Sequence, residues 1–191
     1  MIGEGTEANP DPLNFWIIDV SDPANPIVLH RLHVAQLAQG VYATEGLVYI
    51  AASYEGVLIV DPHATPGPAL IGTIDVGVET FDVYVRGDRA YVGADLQLVL
   101  VDISDKGNPQ TLDRVEFDGF GLDLDAEGDL LVVAQEWDGV GVYDISDPNR
   151  LNLLNHYIYR SRTDQLQQIV LGIDIWNLYA YVGPVSYTHL T

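Results

Sequence analysis

Several acidic and aromatic side chains of this sequence have the types that bind cations or sugars. Carboxylates coordinate cations and accept hydrogen bonds from hydroxyl groups, and aromatic rings stack on the apolar face of a pyranose. The same loops also carry Gln36 and Gln39. Solvated polar loops have a similar composition, so the residue types leave both interpretations open. The candidate ligand-binding residues are Tyr54, Glu55, Glu79, Asp118, Glu136, Trp137 and Asp138.

A second acidic run contains Asp123, Asp125 and Glu127, each two residues from the next, followed by Gly128. Calcium loops are built from oxygen ligands at alternate positions, with a glycine at the bend and a bidentate carboxylate at the twelfth position. Here that position holds Ala134. A tight turn between two strands explains the same residues. Ca²⁺ is therefore the weaker interpretation, and no other cofactor is expected.

No catalytic constellation is predicted. The chain has no cysteine, which excludes thiol chemistry and disulfides. Phosphate-binding glycine loops, Gly-x-Ser-x-Gly elbows and His-Glu-x-x-His zinc motifs are also absent from the sequence. The histidines are scattered along the chain, at His30, His33, His63, His156 and His189.

The charge of the chain restricts its partners. Asp and Glu total 28 against 8 Lys and Arg, which gives a net charge of −20. Such a field repels nucleic acid and anionic lipid, and no apolar run is long enough to insert into a membrane. Three interpretations of the acidity remain open: a solvated surface, adaptation to high salt, and cation binding.

The elements that position these residues follow from a short sequence motif, named here the phrase, that occurs four times. Apolar runs ending in aspartate reach Asp19, Asp61, Asp102 and Asp144, about 42 residues apart. Between successive copies, turn residues separate further short apolar runs, so each unit contains four strands. Four strands per unit of this length indicate the blade of a β-propeller. We expect each aspartate to cap the turn that follows its strand.

The phrase and its flanking turn resemble propeller repeats of the LVIVP type. The resemblance is carried by residues 17–23, 101–105 and 143–148, and it covers roughly residues 14–183. The run Asp61-Pro62-His63 departs from the pattern, as does Asn149-Arg150. Similar proteins are mostly exported or attached to the cell surface and mostly lack an assigned activity. The resemblance therefore implies a scaffold, with an extracellular or cell-surface location.

The order of strands predicts an arc of a propeller. The chain begins with the last two strands of one blade and ends with the first two of another, with three whole blades between them. Residues 1–13 are predicted to be an irregular lead-in, residues 14–183 the propeller repeats, and residues 184–191 a tail that does not look native. We expect a fragment of a larger propeller, whose remaining blades would be its partners.

Carboxylates on the innermost strands suggest a second candidate site. Asp123 and Asp174 are predicted at corresponding first-strand positions, where earlier copies carry Tyr42 and Tyr84. A carboxylate there is costly unless it is hydrated, paired or bound to a metal. A wet central channel and an axial metal site both remain open. The candidate metal ligands are therefore Asp123, Asp174, Asp125 and Glu127.

Two functions of different classes follow. The first is a non-catalytic β-propeller repeat module that binds protein, carbohydrate or another ligand through its loops. The alternative is a fragment of a propeller hydrolase or lactonase-like enzyme whose metal is held by axial carboxylates. The absence of a catalytic set favours the first.

Overall fold

The structure, a computed structural model, describes residues 15–33, 37–158 and 169–185. In these ranges the regular elements are fifteen β-strands. The described residues contain no helix that is long and apolar enough to span a membrane. The strands are β1 (Phe15–Asp19), β2 (Ile27–Leu32), β3 (Gly40–Thr44), β4 (Leu47–Ala51), β5 (Val57–Asp61), β6 (Ala69–Ile74), β7 (Thr80–Arg86), β8 (Arg89–Asp102), β9 (Gln110–Phe120), β10 (Asp123–Glu127), β11 (Leu130–Ala134), β12 (Val140–Asp144), β13 (Asn152–Tyr157), β14 (Ile169–Trp176) and β15 (Tyr179–Val185).

The strands form antiparallel sheets in chain order. Strands β3 to β6 make one four-stranded sheet and strands β10 to β13 make another, with β7, β8 and β9 forming the sheet between them. The first and last sheets have two strands each, β1 with β2 and β14 with β15. Each sheet is therefore one blade or half blade of the predicted repeat.

Strand β8 contains both middle strands of its blade. Nη1 of Arg89, at its start, lies 3.1 Å from Oδ1 of Asp102, at its end. A straight strand of 14 residues would hold its ends roughly 40 Å apart. The strand therefore turns back on itself, and Leu96, with a φ of 54°, lies between its two halves. The first half pairs with β7 and the second with β9, so the prediction of three whole and two half blades in an all-β fold is confirmed.

Apolar cores join each sheet to the next. The core between the first two whole blades packs Tyr49 and Ile59 against Val83 and Val92, all at most 2% exposed. Equivalent cores lie between the other successive sheets. Each fully buried aliphatic side chain contributes about 1.5–3 kcal/mol. The repeated phrase is apolar throughout because its strands are covered on both faces, as in β5, where Val57 to Val60 are all buried.

The first strand of each blade lies nearest a common axis. Strand β7 lies beside β3 and β10, and β10 lies beside β14. Inner strands of neighbouring blades therefore contact one another, and the outer strands diverge toward solvent. This arrangement separates two surfaces at opposite ends of the strands, one with the longer loops and one with tight turns.

The aspartates that end the repeated phrase cap the turns that follow, as predicted. In each case Oδ1 accepts a hydrogen bond from the backbone N–H two residues later. The distances are 2.8 Å for Asp19, 2.9 Å for Asp61, 2.8 Å for Asp102 and 2.8 Å for Asp144. These bonds lower the pKa of Asp19, Asp102 and Asp144.

Some sequence predictions fall outside the described residues. The irregular lead-in at residues 1–13 does so, as do Gln36 and the tail from residue 186 onward. Strand β15 continues past residue 183 because Pro184 and Val185 pair with Val170 and Ile169. The boundaries of the lead-in and the tail stay predictions.

Candidate functional site

Two loops with the same backbone geometry dominate the surface at one end of the strands. They connect β4 to β5 and β11 to β12. In the first, Ala52 N–H donates to the Gly56 carbonyl at 2.9 Å, and in the second, Gln135 N–H donates to the Gly139 carbonyl at 2.8 Å. The two glycines have similar positive φ values, 80° for Gly56 and 85° for Gly139. The loops are therefore copies of one structural unit.

Each of these loops is fixed to the next blade at its first residue. Ser53 and Glu136, with φ of 56° and 48°, form β-bridges with Thr80 and Val170 respectively. The carbonyls of Ser53 and Glu136 accept N–H bonds at 3.0 Å in both bridges. The loops between second and third strands therefore share a surface with the segments that enter first strands. We name this surface the loop face: residues 53–56, 79–80, 95–97, 118 and 136–139.

The two equivalent loops present the same types of side chain. Tyr54 and Trp137 occupy the same position, and they are 80% and 48% exposed. Glu55 and Asp138 occupy the next position. In the middle blade this loop is shortened to residues around Leu96, and no aromatic residue is present there. The loop face thus has an exposed aromatic ring beside a carboxylate at two places, flanking a short loop.

The predicted residues Tyr54 and Glu79 lie together. Oε1 of Glu79 accepts hydrogen bonds from Ser53 Oγ at 2.7 Å and Gln39 Nε2 at 3.1 Å. A hydrogen bond with Glu79 raises the pKa of the Tyr54 hydroxyl. Thr80, fully buried, donates to the carbonyls of the same loop. Glu79 therefore connects the first repeated loop to the start of β7.

Asp118, Glu136 and Asp138 form a second group between β9 and the loop after β11. Oδ2 of Asp138 accepts the Asp118 N–H at 3.1 Å, and Oδ1 lies 3.5 Å from Nε2 of His156. Oε2 of Glu136 accepts the Phe120 N–H at 3.4 Å. Burial raises the pKa of Glu136. The structure thus divides the candidates into two groups, one at each repeated loop.

Two adjoining cavities accompany the second group. One, of about 480 Å³, is lined by residues around Leu96, and the other, of about 290 Å³, lies between β9 and strands β12 and β13. They share Glu116, Phe117 and Asp118. Sequence reasoning missed Glu116, Phe117, Gln135 and His156 as lining residues. The sequence carried no signal for His156, because its pairing with Gly141, close to Asp138, follows a register shift between Val142 and Tyr143 in the β12–β13 hairpin.

The candidate metal ligands of the inner strands act as hydrogen-bond acceptors for neighbouring backbones. Asp123 and Asp125 accept the N–H groups of Ile173 and Ile175 of β14, both at 2.8 Å. Glu127 accepts the Leu178 N–H at 2.7 Å. Inner strands have an unpaired edge, and these carboxylates satisfy its donors. One oxygen of each is therefore used to join β10 to β14.

Asp82 makes the equivalent contact in the preceding blade. Its Oδ2 accepts the Leu124 N–H at 2.9 Å, joining β7 to β10. Burial raises the pKa of this carboxyl to about 7, and the adjacent Asp123 adds to the rise, while bonds from Leu124 and Val83 oppose it. The sequence analysis did not identify Asp82 as a candidate. Its position two residues before Tyr84 could have indicated it.

The predicted equivalence of Asp123 with Asp174 is wrong by two residues. Strand pairing places Tyr42 opposite Tyr49, Tyr84 opposite Tyr91, Asp125 opposite Val132 and Asp174 opposite Tyr181. Asp125, and not Asp123, therefore occupies the position in its hairpin that is equivalent to the position of Asp174. A hydrogen bond with Asp125 raises the pKa of Asp174.

Among the described residues, no group of three or more His, Cys, Asp and Glu side chains is arranged to hold a metal ion. The run from Asp123 to Glu127 is β10 itself, and Gly128 turns into β11 with a φ of 60°. Its carboxylates point along a strand edge toward β14 rather than around a loop. Calcium binding and the axial metal of a hydrolase stay predictions.

A family model identifies the repeat. The model of the LVIVD repeat matches residues 13–33, 79–116 and 119–158, just over half of the chain. The chain belongs to the LVIVD repeat family. This is the family that the sequence resemblance names by the variant LVIVP. The LVIVD matches leave out residues 34–78, which contain the divergent turn at Pro62 and His63 and nevertheless form the blade β3 to β6.

Solved structures similar to this LVIVD repeat protein have the propeller fold. The computationally designed Ika4 protein is 16% identical, with a TM-score of 0.62 over 80% of this chain and 87% of that one. The computationally designed Ika8 protein is also 16% identical, with a TM-score of 0.59 over 81% of this chain and 44% of that one. Both likenesses concern the fold alone. No curated protein matches the sequence significantly.

Proposed function

We propose that this LVIVD repeat chain is a non-catalytic interaction module that binds its partner through the loop face. The observation that carries the proposal is the repetition of one loop unit with exposed Tyr54 and Trp137 at the same position. Large exposed aromatic rings dominate binding energies in interfaces, because they bury much area with few rotatable bonds. Two copies on one surface suit a ligand that contacts both.

The scaffold supports this role by holding the loops rigidly. Each repeated loop closes on itself through a backbone hydrogen bond and is bridged to the next blade by another. A loop ordered before binding loses less conformational entropy when the partner arrives. Glu55 follows Tyr54 in the sequence and is exposed, so it supplies acceptors for hydroxyl, amide or cationic groups of the partner. The composition of the face therefore favours a protein or a carbohydrate.

The opposite end of the molecule is used in closing strands. It carries the tight turns at Glu45-Gly46, Gly87-Asp88 and Gly128-Asp129, and the capped turns after the phrase strands. Arg86 there donates to the Gly128 and Ile145 carbonyls, so its charge is committed to joining blades. We name this end the turn face. By family resemblance we further propose that the module belongs to an exported or cell-surface protein that does not bind nucleic acid.

A screen of immobilised glycans and candidate proteins tests the proposal. Trp137→Ala is expected to weaken any binding at least tenfold, since the loss of a stacking aromatic residue costs about 1.4 kcal/mol or more. The matched control is Trp176→Ala, which removes an exposed ring of the same type at the turn face. Binding that survives Trp137→Ala but is lost in Trp176→Ala would place the site at the wrong end and overturn the proposal.

A further inference from the structure

Two strands of the half blades are exposed at positions that are buried in the whole blades. Tyr181 of β15 is 52% exposed, whereas Tyr49 and Tyr91, its equivalents on β4 and β8, are at most 2% exposed. Ile18 of β1 is 44% exposed, whereas its equivalent Val60, also one residue before a capping aspartate, is fully buried. In the described part of the chain, the half blades therefore lack the neighbours that cover these positions elsewhere.

The two half blades are complementary parts of one blade. Strands β14 and β15 are a first and a second strand, and β1 and β2 are a third and a fourth. In the first and last whole blades the second strand pairs with the third, β4 with β5 and β11 with β12. Among the described strands, β15 pairs with β14 alone. The other edge of β15 is therefore the edge that binds a third strand in a whole blade, and β1 is a third strand.

The whole blades determine the register in which β1 would pair with β15. Second-strand Tyr49 pairs with Ile59, which lies two residues before the capping Asp61. Tyr181 occupies the position of Tyr49 in its hairpin. Ile17 occupies the position of Ile59, because it also lies two residues before its capping aspartate. The equivalent antiparallel pairs of β15 and β1 are Tyr181 with Ile17 and Ala180 with Ile18.

The whole blade beside the last sheet has one incompletely covered position. Val142 of β12 is half-buried, whereas Ile59 and Leu100, which also lie two residues before a capping aspartate, are fully buried. Val142 packs on the core shared with β14, so it faces the last half blade. A third strand on the edge of β15 would lie opposite β12 and cover it. The same docked strand therefore accounts for the exposure on β12 and on β15.

A second copy of this chain carries the strand that fits. In one chain the half blades belong to separate sheets, and each packs on its neighbouring whole blade through its own core. Two copies that exchange strand contacts would have three whole blades each and two composite blades, eight in all, and propellers have four to eight blades. Each chain has a net charge of −20, but Asp19 is the only charged residue of β1 and β15, so the contact itself adds little repulsion.

We propose that the edge of β15 binds β1 of a second copy, and that two copies close one ring of eight blades. Each composite blade has β14 and β15 from one protomer and β1 and β2 from its partner. The contact is reciprocal, since each protomer gives one half blade and receives the other. The inference goes beyond the proposed function, because the surface is a strand edge and not the loop face. The second copy supplies the remaining blades that a larger propeller requires.

Disulfide trapping between two singly substituted chains tests the register, since the chain has no cysteine of its own. Opposite residues of antiparallel strands have Cα atoms about 4.5–5.5 Å apart, which a disulfide can span. A chain with Ile17→Cys, mixed with a tagged chain with Tyr181→Cys and oxidised, should form a covalent heterodimer. Ile18→Cys with Ala180→Cys should do the same. The matched control, Ile17→Cys with Ala180→Cys, places the thiols on opposite faces and should give roughly tenfold less heterodimer.

Sedimentation equilibrium of the parent chain, with salt to screen its charge, should give a species of twice the chain mass and none larger. The inference is overturned if neither in-register mixture gives a heterodimer, if the control mixture reacts equally, or if the parent chain forms a series of larger species. An internal disulfide in a monomer with both Ile17→Cys and Tyr181→Cys would also overturn it. Because two in-register pairs are tested, the result does not depend on the fold tolerating one substitution. Failure here would leave Trp137-dependent binding at the loop face unaffected.

Discussion

Some acidic residues of this chain have pKa values that are shifted in opposite directions. Asp19, Asp102 and Asp144 cap turns, and the N–H bonds that they accept lower their pKa. Asp82 lies between inner strands, where burial raises its pKa to about 7. The caps stabilise the fold above their unfolded pKa, and that contribution is lost as pH falls through their folded pKa. The contribution of Asp82 is complete below its unfolded pKa and is lost as pH rises toward 7.

The first prediction concerns Asp82→Asn. Between about pH 4 and pH 7 the unfolded chain releases a proton that folded Asp82 retains, so the free energy of unfolding falls as pH rises, by at most about 1.4 kcal/mol per pH unit. Asparagine keeps an oxygen for the Leu124 N–H and has no charge to bury. We expect the variant to lose this slope in urea denaturation experiments over that range.

The control for this prediction is Asp144→Asn. This substitution also replaces a carboxylate by an amide, but in an exposed cap whose pKa is lowered. Its slope between about pH 5 and pH 7 should equal that of the parent chain, because both folded and unfolded forms of Asp144 are ionised there. An unchanged slope in Asp82→Asn would show that Asp82 does not keep its proton in the folded chain.

The repeated loop is the element that shapes the loop face. Gly139 adopts a φ of 85°, and a Cβ atom there would overlap the Tyr157 carbonyl and lie 2.9 Å from Ile158 Cα. Gly56 is under the same restraint against Ile74. The glycine that ends each loop therefore lets β12 or β5 pass close to the outermost strand of its blade. A side chain at position 139 or position 56 would therefore not fit.

Gly139→Ala should lower the free energy of unfolding by more than about 2 kcal/mol, through backbone strain and overlap together. Gly128→Ala is the matched control, since Gly128 also has a positive φ, 60°, but a Cβ there would meet no atom within 4 Å. Its cost should be about 1 kcal/mol from strain alone. Equal losses of stability in denaturant titrations of the two variants would contradict the close approach.

The sequence predicted the elements better than the contacts between them. The spacing of the four aspartates was enough for the strands and caps, because each cap is a local interaction across two residues. The pairing of His156 with Asp138 depends on the β12–β13 register, which shifts at a bulge between Val142 and Tyr143. The equivalence of Asp123 with Asp174 was predicted wrongly because strand periodicity does not determine where a hairpin begins.

In the molecule as a whole, the two half blades are complementary. Among the described residues, the first sheet consists of the outer pair of strands and the last sheet of the inner pair. Both expose large apolar side chains: Trp16 is 50% exposed on β1, and Tyr179 is 67% exposed on β15. Strand edges and apolar faces of this kind promote association. Sheets β14–β15 and β1–β2 together have the strands of one blade.

We therefore expect the 191-residue chain to self-associate as its concentration rises, because half blades of different copies can pair. Sedimentation velocity over a range of concentrations measures this directly. The double substitution Tyr181→Lys and Trp16→Lys should shift the distribution of sedimenting species toward the monomer. A monomer at all concentrations that unfolds sharply and reversibly would show instead that the two half blades pair within one chain.

The loop face is the surface through which we expect the molecule to bind its partner. Hydrogen–deuterium exchange of the chain, alone and saturated with the best-binding glycan or protein from the screen, locates that surface, because protection reports each segment separately. We expect slower exchange in residues 53–56 and 136–139, and no change at residues 45–46 and 87–88. Protection confined to the turn face, with the two repeated loops unaffected, would contradict the assignment of binding to the loop face.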